Sequence, residues 1–144
     1  MKTEGLKISL EKKKPLIPKD ELTLTEMGIE GDRHADGGDK QISVYSIEAQ
    51  KADKEEMQGL CYGSYEANIT VSGIDLKTLK SGDVIKIGTD GASIMITSHK
   101  GKCFDDCEKF SAKLYCTLRV NALYAKVITP GKIKLGDEII LERA

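Results

Sequence analysis

Short β-branched runs cut by glycine turns constrain this chain more than any other feature. Gln41-Ile42-Ser43-Val44-Tyr45-Ser46, Asn68-Ile69-Thr70-Val71, Val84-Ile85-Lys86-Ile87, Ile94-Met95-Ile96-Thr97, Leu123 to Ile128 and Glu138 to Leu141 alternate or cluster their apolar residues as strands do, and glycines punctuate them. Leu6-Lys7-Ile8-Ser9-Leu10 has the same period. Two segments echo each other. Leu79-Lys80-Ser81-Gly82-Asp83-Val84-Ile85-Lys86-Ile87 and Ile133-Lys134-Leu135-Gly136-Asp137-Glu138-Ile139-Ile140-Leu141 each set Gly-Asp before an apolar strand. That is shared turn chemistry at two similar corners, not a tandem repeat. Evenly spaced short strands predict a closed or nearly closed barrel, which removes exposed edges.

Helix is sparse in this pattern. Ser46 can cap a helix over Ile47 to Gln58 that ends at Gly59, and Glu48, Ala49, Lys51, Ala52 and Glu55 are good helix formers. A second helix is expected near Glu108 to Leu114. Pro15 and Pro18 break regular structure, and Met27 to Lys40 reads as a long loop. The 144 residues show no linker and form one expected domain, 1–144. With no Trp and 5% aromatics, Ile, Leu and Val must fill the core. A net charge of −1 argues against a nucleic-acid binder, and the basic run Lys12-Lys13-Lys14 stops at Pro15. No stretch nears the roughly 18 apolar residues of a membrane span, and Met1-Lys2-Thr3-Glu4-Gly5 lacks a signal peptide's apolar segment. The expected location is the cytoplasm.

Thiols stay reduced in that compartment, so the four cysteines read as reactive, metal-bound or buried rather than as a disulfide framework. Cys103, Cys107 and Cys116 cluster just after a strand. A thiol reacts as its thiolate. Lys100 and Lys102 favour that form at Cys103, while Asp105, Asp106 and Glu108 oppose it. A nucleophilic Cys103 could accept a sulfane sulfur as a persulfide, with Cys107 or Cys116 as resolving thiols. Alternatively Cys103, Cys107, Cys116 and His99 match a structural zinc site in ligand type. A disulfide between residues four apart on a helix is disfavoured, because their Cβ atoms lie about 5–6 Å apart against the roughly 3.8 Å required. Cys107, Cys116 and Cys61 also read as small buried hydrophobes.

A second constellation is Gly28-Ile29-Glu30-Gly31-Asp32-Arg33-His34-Ala35-Asp36-Gly37-Gly38. Glycine-rich backbone can turn N–H groups toward an anion, and Arg33 and His34 add donors. The alternative is a surface loop with a structurally bonded histidine. Asn68 can pin a turn. Arg119, one of three arginines, suits bidentate recognition of carboxylate or phosphate, or simple exposure.

In order and spacing these pieces resemble the MOSC domain, the family named after the C-terminal domain of molybdenum-cofactor sulfurase. The resemblance runs from about Leu6 to Leu141 through Gly28 to Ala35, Gln41 to Val44, Asn68-Ile69-Thr70 with Gly73 to Leu76, Gly82, Ile87-Gly88, Gly101-Lys102-Cys103 with Cys107 and Cys116, Ala125-Lys126-Val127 and Gly136-Asp137. It departs at Asp39 and Lys40, at Ala67, and at Arg119, Val120 and Ala122. It implies a mostly β fold with one or two short helices, a MOSC-type barrel like the β-barrel of pyruvate kinase. It implies that Cys103 is the family's characteristic cysteine, in one of two roles. Cys103 is then either a carrier of sulfur received from cysteine desulfurases and passed on within molybdenum-cofactor biosynthesis, or a ligand to the metal of a bound molybdenum cofactor. Arg33, His34, Asn68, Lys102 and Arg119 would form or orient the anion pocket beside it.

Overall fold

The computed structural model describes residues 1–10, 16–38, 40–48, 67–99 and 122–142, with the side chains of Lys77 and His99 left aside. The described residues are almost entirely β. Eleven strands run in chain order: β1 (Lys2–Ile8), β2 (Ile17–Lys19), β3 (Glu21–Thr25), β4 (Gly28–Ile29), β5 (Ile42–Ser46), β6 (Ile69–Ser72), β7 (Val84–Ile87), β8 (Ala92–His99), β9 (Ala122–Thr129), β10 (Gly131–Lys134) and β11 (Ile139–Glu142). One 3₁₀ turn covers Leu76–Thr78. Ile47 and Glu48 are helical, and the remainder of the helix expected to Gln58, like that at 108–114, lies outside the described residues. So do Lys12, Lys13, Lys14 and Cys61.

The main sheet has the order β11-β7-β8-β9-β5-β6-β1-β2, and a second sheet has the order β10-β3-β4. All pairs are antiparallel except β5 with β6. That one parallel pair follows from residues 47–68, which carry the chain from the end of β5 back to the start of β6. Alternation along the strands sends one side chain in two inward: in β1, Thr3, Leu6 and Ile8 are buried, and in β9, Leu123, Ala125 and Val127. The resulting core consists of Ile, Leu, Val and Ala, including Leu6, Leu24, Ile29, Ile42, Ile69, Ile94 and Ile96.

Of the closed or nearly closed barrel expected, the strand ladder does not close fully among the described residues. Beyond β11 the main sheet meets β1 through the turn that precedes β11 rather than along a strand. An isolated bridge joins Lys2 to Glu138, and the Thr3 and Ile139 amides donate to Asp137 O at 2.9 Å and Met1 O at 3.0 Å. The register of β1 against β6 shifts between Thr3 and Gly5, beside this contact.

The two Gly-Asp echoes are one turn used twice. The Asp83 amide donates to Lys80 O at 3.0 Å, and Asp83 Oδ2 accepts from the Lys80 amide at 2.8 Å. Asp137 and Lys134 repeat this at 3.1 and 2.7 Å. Gly82 and Gly136 stand third in each turn with φ of 99° and 87°, the left-handed region a type II turn demands.

Candidate functional site

The site is assembled at one rim of the main sheet. Ser9 follows β1, Asn68 immediately precedes β6, Ser43 lies near the start of β5, and Tyr124 near the start of β9. Ser43 and Tyr124 are strand partners. Together with Leu16, Arg33, His34 and Lys40 they line a cavity of about 280 Å³. β8 ends and β9 begins just beyond Tyr124, toward the opposite end of β5 because β9 runs antiparallel to it, with His99 paired to Leu123 and Ser98 to Tyr124. A bulge between Ile96 and Ser98 sets that register.

Asp32 organises the rim. Its side chain is fully buried. Oδ1 accepts from the Ser9 amide at 2.6 Å and from Asn68 Nδ2 at 3.0 Å. Oδ2 accepts from the His34 amide at 2.9 Å and faces His34 Nδ1 at 3.2 Å. Four donors surround one carboxylate, the kind of satisfaction a buried charge requires. With Nδ1 donating to Asp32, the lone pair of a neutral His34 ring is on Nε2.

Asn68 is equally committed. Nδ2 donates to Lys7 O at 3.1 Å as well as to Asp32, and Oδ1 accepts from the Ser43 amide at 3.0 Å and Ser43 Oγ at 3.1 Å. Two donor hydrogens and two lone pairs are thereby used. Asn68 holds β1, β5 and the Asp32 loop in register and has no capacity left for a ligand.

The stretch from Asp32 to Gly38 offers no backbone cradle. The amides of residues 32 through 38 all donate within the protein: Asp32 to Ile29 O, Arg33 to Ser9 O, His34 to Asp32 Oδ2, Ala35 to Asp32 O, Asp36 to His34 O, Gly37 to Met27 O and Gly38 to Asp36 Oδ1. An anion here is met by side chains. Arg33 is positioned by Nε donating to Ser9 Oγ at 2.8 Å. Lys40 Nζ sits 5.1 Å from the centroid of the Tyr124 ring. Neither cation has a carboxylate partner among the described residues, where the ion pairs are Lys2–Glu4, His34–Asp32 and Lys86–Glu142. Burial pushes the Tyr124 hydroxyl above its ordinary pKa of 10.0, so it adds no negative charge at neutral pH.

Of the residues singled out from sequence, Arg33, His34 and Asn68 meet around this cavity. Cys103, Cys107, Cys116, Lys102 and Arg119 lie outside the described residues, as does the His99 side chain. No group of three or more His, Cys, Asp or Glu that could hold a metal occurs among the described residues. Asp32, Ser9, Ser43, Lys40 and Tyr124 were not expected. Asp32 had one local signal, an acid two residues before a histidine in a glycine-rich loop. The others depend on strand pairing.

No helix among the described residues is long and apolar enough to cross a membrane. No curated protein matches the chain significantly. Solved structures do. The YUAD protein from Bacillus subtilis superposes with a TM-score of 0.78 at 25% identity, over 99% of this chain and 96% of that one. YiiM from Escherichia coli gives 0.65 at 21% identity, over 100% and 71%, and YiiM from Geobacillus stearothermophilus 0.66 at 19%, over 99% and 75%. These last two speak for the fold. The family model for the MOSC domain matches residues 31–140, from the Asp32 loop through the start of β11. This chain belongs to the MOSC domain family.

Proposed function

We propose that the protein carries sulfane sulfur on Cys103 within molybdenum-cofactor metabolism, the setting with which MOSC domains are associated. The observation that supports this most is the pairing of β8 with β9 next to Tyr124. Residues 100–121 leave the sheet at His99 and rejoin it at Ala122, beside Tyr124 and the cavity. Cys103 follows His99 by four residues, a reach of at most about 14 Å for an extended chain. Its thiolate would attack the outer sulfur of a persulfide on a donor such as a cysteine desulfurase. The donor's S–S bond breaks, its thiolate leaves, and a Cys103 persulfide forms with no net oxidation. Cys107 and Cys116 would be secondary thiols. Arg33, Lys102 and Arg119 would hold the anionic acceptor, while Asn68 and Asp32 orient the wall that carries Arg33. The test is incubation with a cysteine desulfurase and free cysteine. The peptide containing Cys103 should gain the mass of one sulfur atom. No gain, or an undiminished gain in Cys103→Ala, overturns the proposal.

A second reading draws on the same cations. Arg33 and Lys40 suit the phosphate of the molybdenum cofactor, and Cys103 would be a soft ligand to its metal. The bound group would supply redox chemistry, making the protein a module of a reductase. Molybdenum in protein purified from a cofactor-producing host supports this reading, and its absence overturns it. Stoichiometric zinc would instead mark a structural site at Cys103, Cys107, Cys116 and His99.

A further inference from the structure

We infer that anion binding in the cavity is proton-coupled through His34: a compact oxyanion, free or as the end group of a larger ligand, binds with uptake of a proton at His34 Nε2. The inference rests on reading the cavity as an anion site, which both functions proposed above share, and adds the group that sets its pH dependence. It does not depend on where the cysteines lie.

Three observations carry it. The first is that Asp32 fixes the ring. Its buried carboxylate accepts from the Ser9 amide, Asn68 Nδ2 and the His34 amide, and Oδ2 faces His34 Nδ1 at 3.2 Å. Nδ1 therefore carries the hydrogen of the neutral ring, and an added proton has one place to go, Nε2. Nε2 bonds to nothing among the described residues. The second is position. The His34 side chain is 40% exposed and lines the same cavity as Arg33 and Lys40. Neither of those cations has an acidic partner among the described residues. Arg33 is held through Nε on Ser9 Oγ at 2.8 Å, which leaves its terminal nitrogens for a ligand. The third is that His34 is the one lining group of a type that changes charge near neutrality. Arginine and lysine hold their charge well above it. Tyr124, from β9, is kept neutral by burial. Ser9, Leu16, Ser43 and Asn68, at the ends of β1, β2, β5 and β6, do not titrate. The acids near the ring belong to its own loop: Asp32, and exposed Asp36, whose Oδ1 accepts from the Gly38 amide.

The charge balance follows. With a neutral ring, the Asp32–His34 pair carries one negative charge beside the cavity and opposes Arg33 and Lys40. With Nε2 protonated the pair is neutral overall, and Nε2–H becomes a third charged donor at the cavity wall. Imidazole is the side chain whose ordinary titration spans about pH 5–8. By linkage, an anion that prefers the protonated ring draws a proton in as it binds. Affinity is then greatest where the ring is already protonated, and it falls as pH rises through the titration. The loop amides are spent, so side chains alone set this response.

The experiment titrates the full chain with inorganic sulfate, whose own charge is constant over this range, by calorimetry in buffers of different ionisation enthalpy. The half-saturating sulfate concentration should rise about tenfold from about pH 5.5 to about pH 8. Proton uptake should peak near about half a proton per sulfate, the most that a tenfold linkage allows. The His34 ring resonance should titrate at higher pH with sulfate present. Methyl sulfate, also of constant charge, presents the same oxyanion as an end group. Whichever of the two binds more tightly names the source, and the same pH trend is required of it. His34→Asn keeps a donor where Nδ1 stands and removes the titrating nitrogen, so it should bind sulfate at every pH about as the wild type does at pH 8. Lys40→Gln, at an exposed position, should weaken binding at every pH and keep the trend. Equal affinity at the two pH values overturns this inference and leaves the anion site standing. A pH trend that survives in His34→Asn places the proton elsewhere and also overturns it. No binding of either anion at any pH overturns the inference and the anion site together.

Discussion

Asp32→Asn is the most informative substitution, because it preserves shape and changes only what the two terminal atoms can do. In the native rim Oδ1 faces the Ser9 amide and Asn68 Nδ2, and Oδ2 faces the His34 amide and Nδ1. Every neighbour is a donor. An asparagine whose NH₂ faces the Ser9 amide and Asn68 Nδ2 loses both bonds, whereas one whose NH₂ faces His34 loses the bond to the His34 amide and can keep one to Nδ1 in the Nε2–H tautomer. Bonds to a charged acceptor contribute about 1.5–3 kcal/mol each. In the less costly orientation one such bond is lost, so the substitution should cost about 1.5–3 kcal/mol, a sizeable part of the roughly 5–15 kcal/mol that holds a domain folded. At about 3 °C per kcal/mol for a chain of this length, the midpoint falls by about 5–9 °C. Urea denaturation followed by circular dichroism, with Asp36→Asn as control, measures it. Asp36 is exposed and accepts only from the Gly38 amide, so that variant should stay within about 1 kcal/mol of wild type. If Asp32→Asn also stays within 1 kcal/mol, the account of Asp32 as an acceptor-only hub is wrong.

Burial raises the Tyr124 pKa above 10.0, so above that pH the unfolded chain ionises while the native state holds its proton. Stability from this group is complete below pH 10 and is lost as pH rises through the native value. Tyr124→Phe should flatten the alkaline limb of a denaturation series between pH 9 and pH 11, and an unchanged slope refutes the assignment. At Gly88, with φ of +72°, an added Cβ would lie 2.5 Å from Asp137 Oδ2, the atom that accepts from the Lys134 amide. Gly88→Ala should cost about 2–4 kcal/mol by chemical denaturation, combining left-handed strain with disruption of that turn. A loss no greater than the ~1 kcal/mol of backbone strain alone would show that Asp137 moves aside freely.

The strands with β-branched alternation were legible in the sequence. β5, β7, β8 and β9 lie within two residues of their expected limits, and the Gly-Asp echo identified two matching corners. β2 was hidden by its composition, since Ile17-Pro18-Lys19 contains a proline and buries nothing. β4 is two residues inside a segment that glycines make loop-like. β3 alternates correctly over Glu21–Thr25, and its proximity to Pro18 masked it. Whether the expected barrel closes fully or only nearly was not legible, for a different reason. Sequence period shows which faces are buried but not whether the last ladder is a strand pair or a turn against a bulge. In the site, Arg33, His34 and Asn68 stood out because polar residues beside glycines or at a strand start invite attention. Ser43 and Tyr124 did not, because they meet through the β5–β9 register, which no local pattern encodes.

The seam between β1 and the turn before β11 has a kinetic consequence. Thr3 Oγ1 donates to Lys134 O at 3.0 Å, a contact spanning 131 positions, and Gly136 N returns a bond to Thr3 O. During synthesis β1 can pair with β6 early but has nothing to shut against until the region around Asp137 emerges. Closing so long a loop is entropically expensive, so assembly should be slow for a molecule of this size and late-stage truncations should leave a gaping, adhesive sheet.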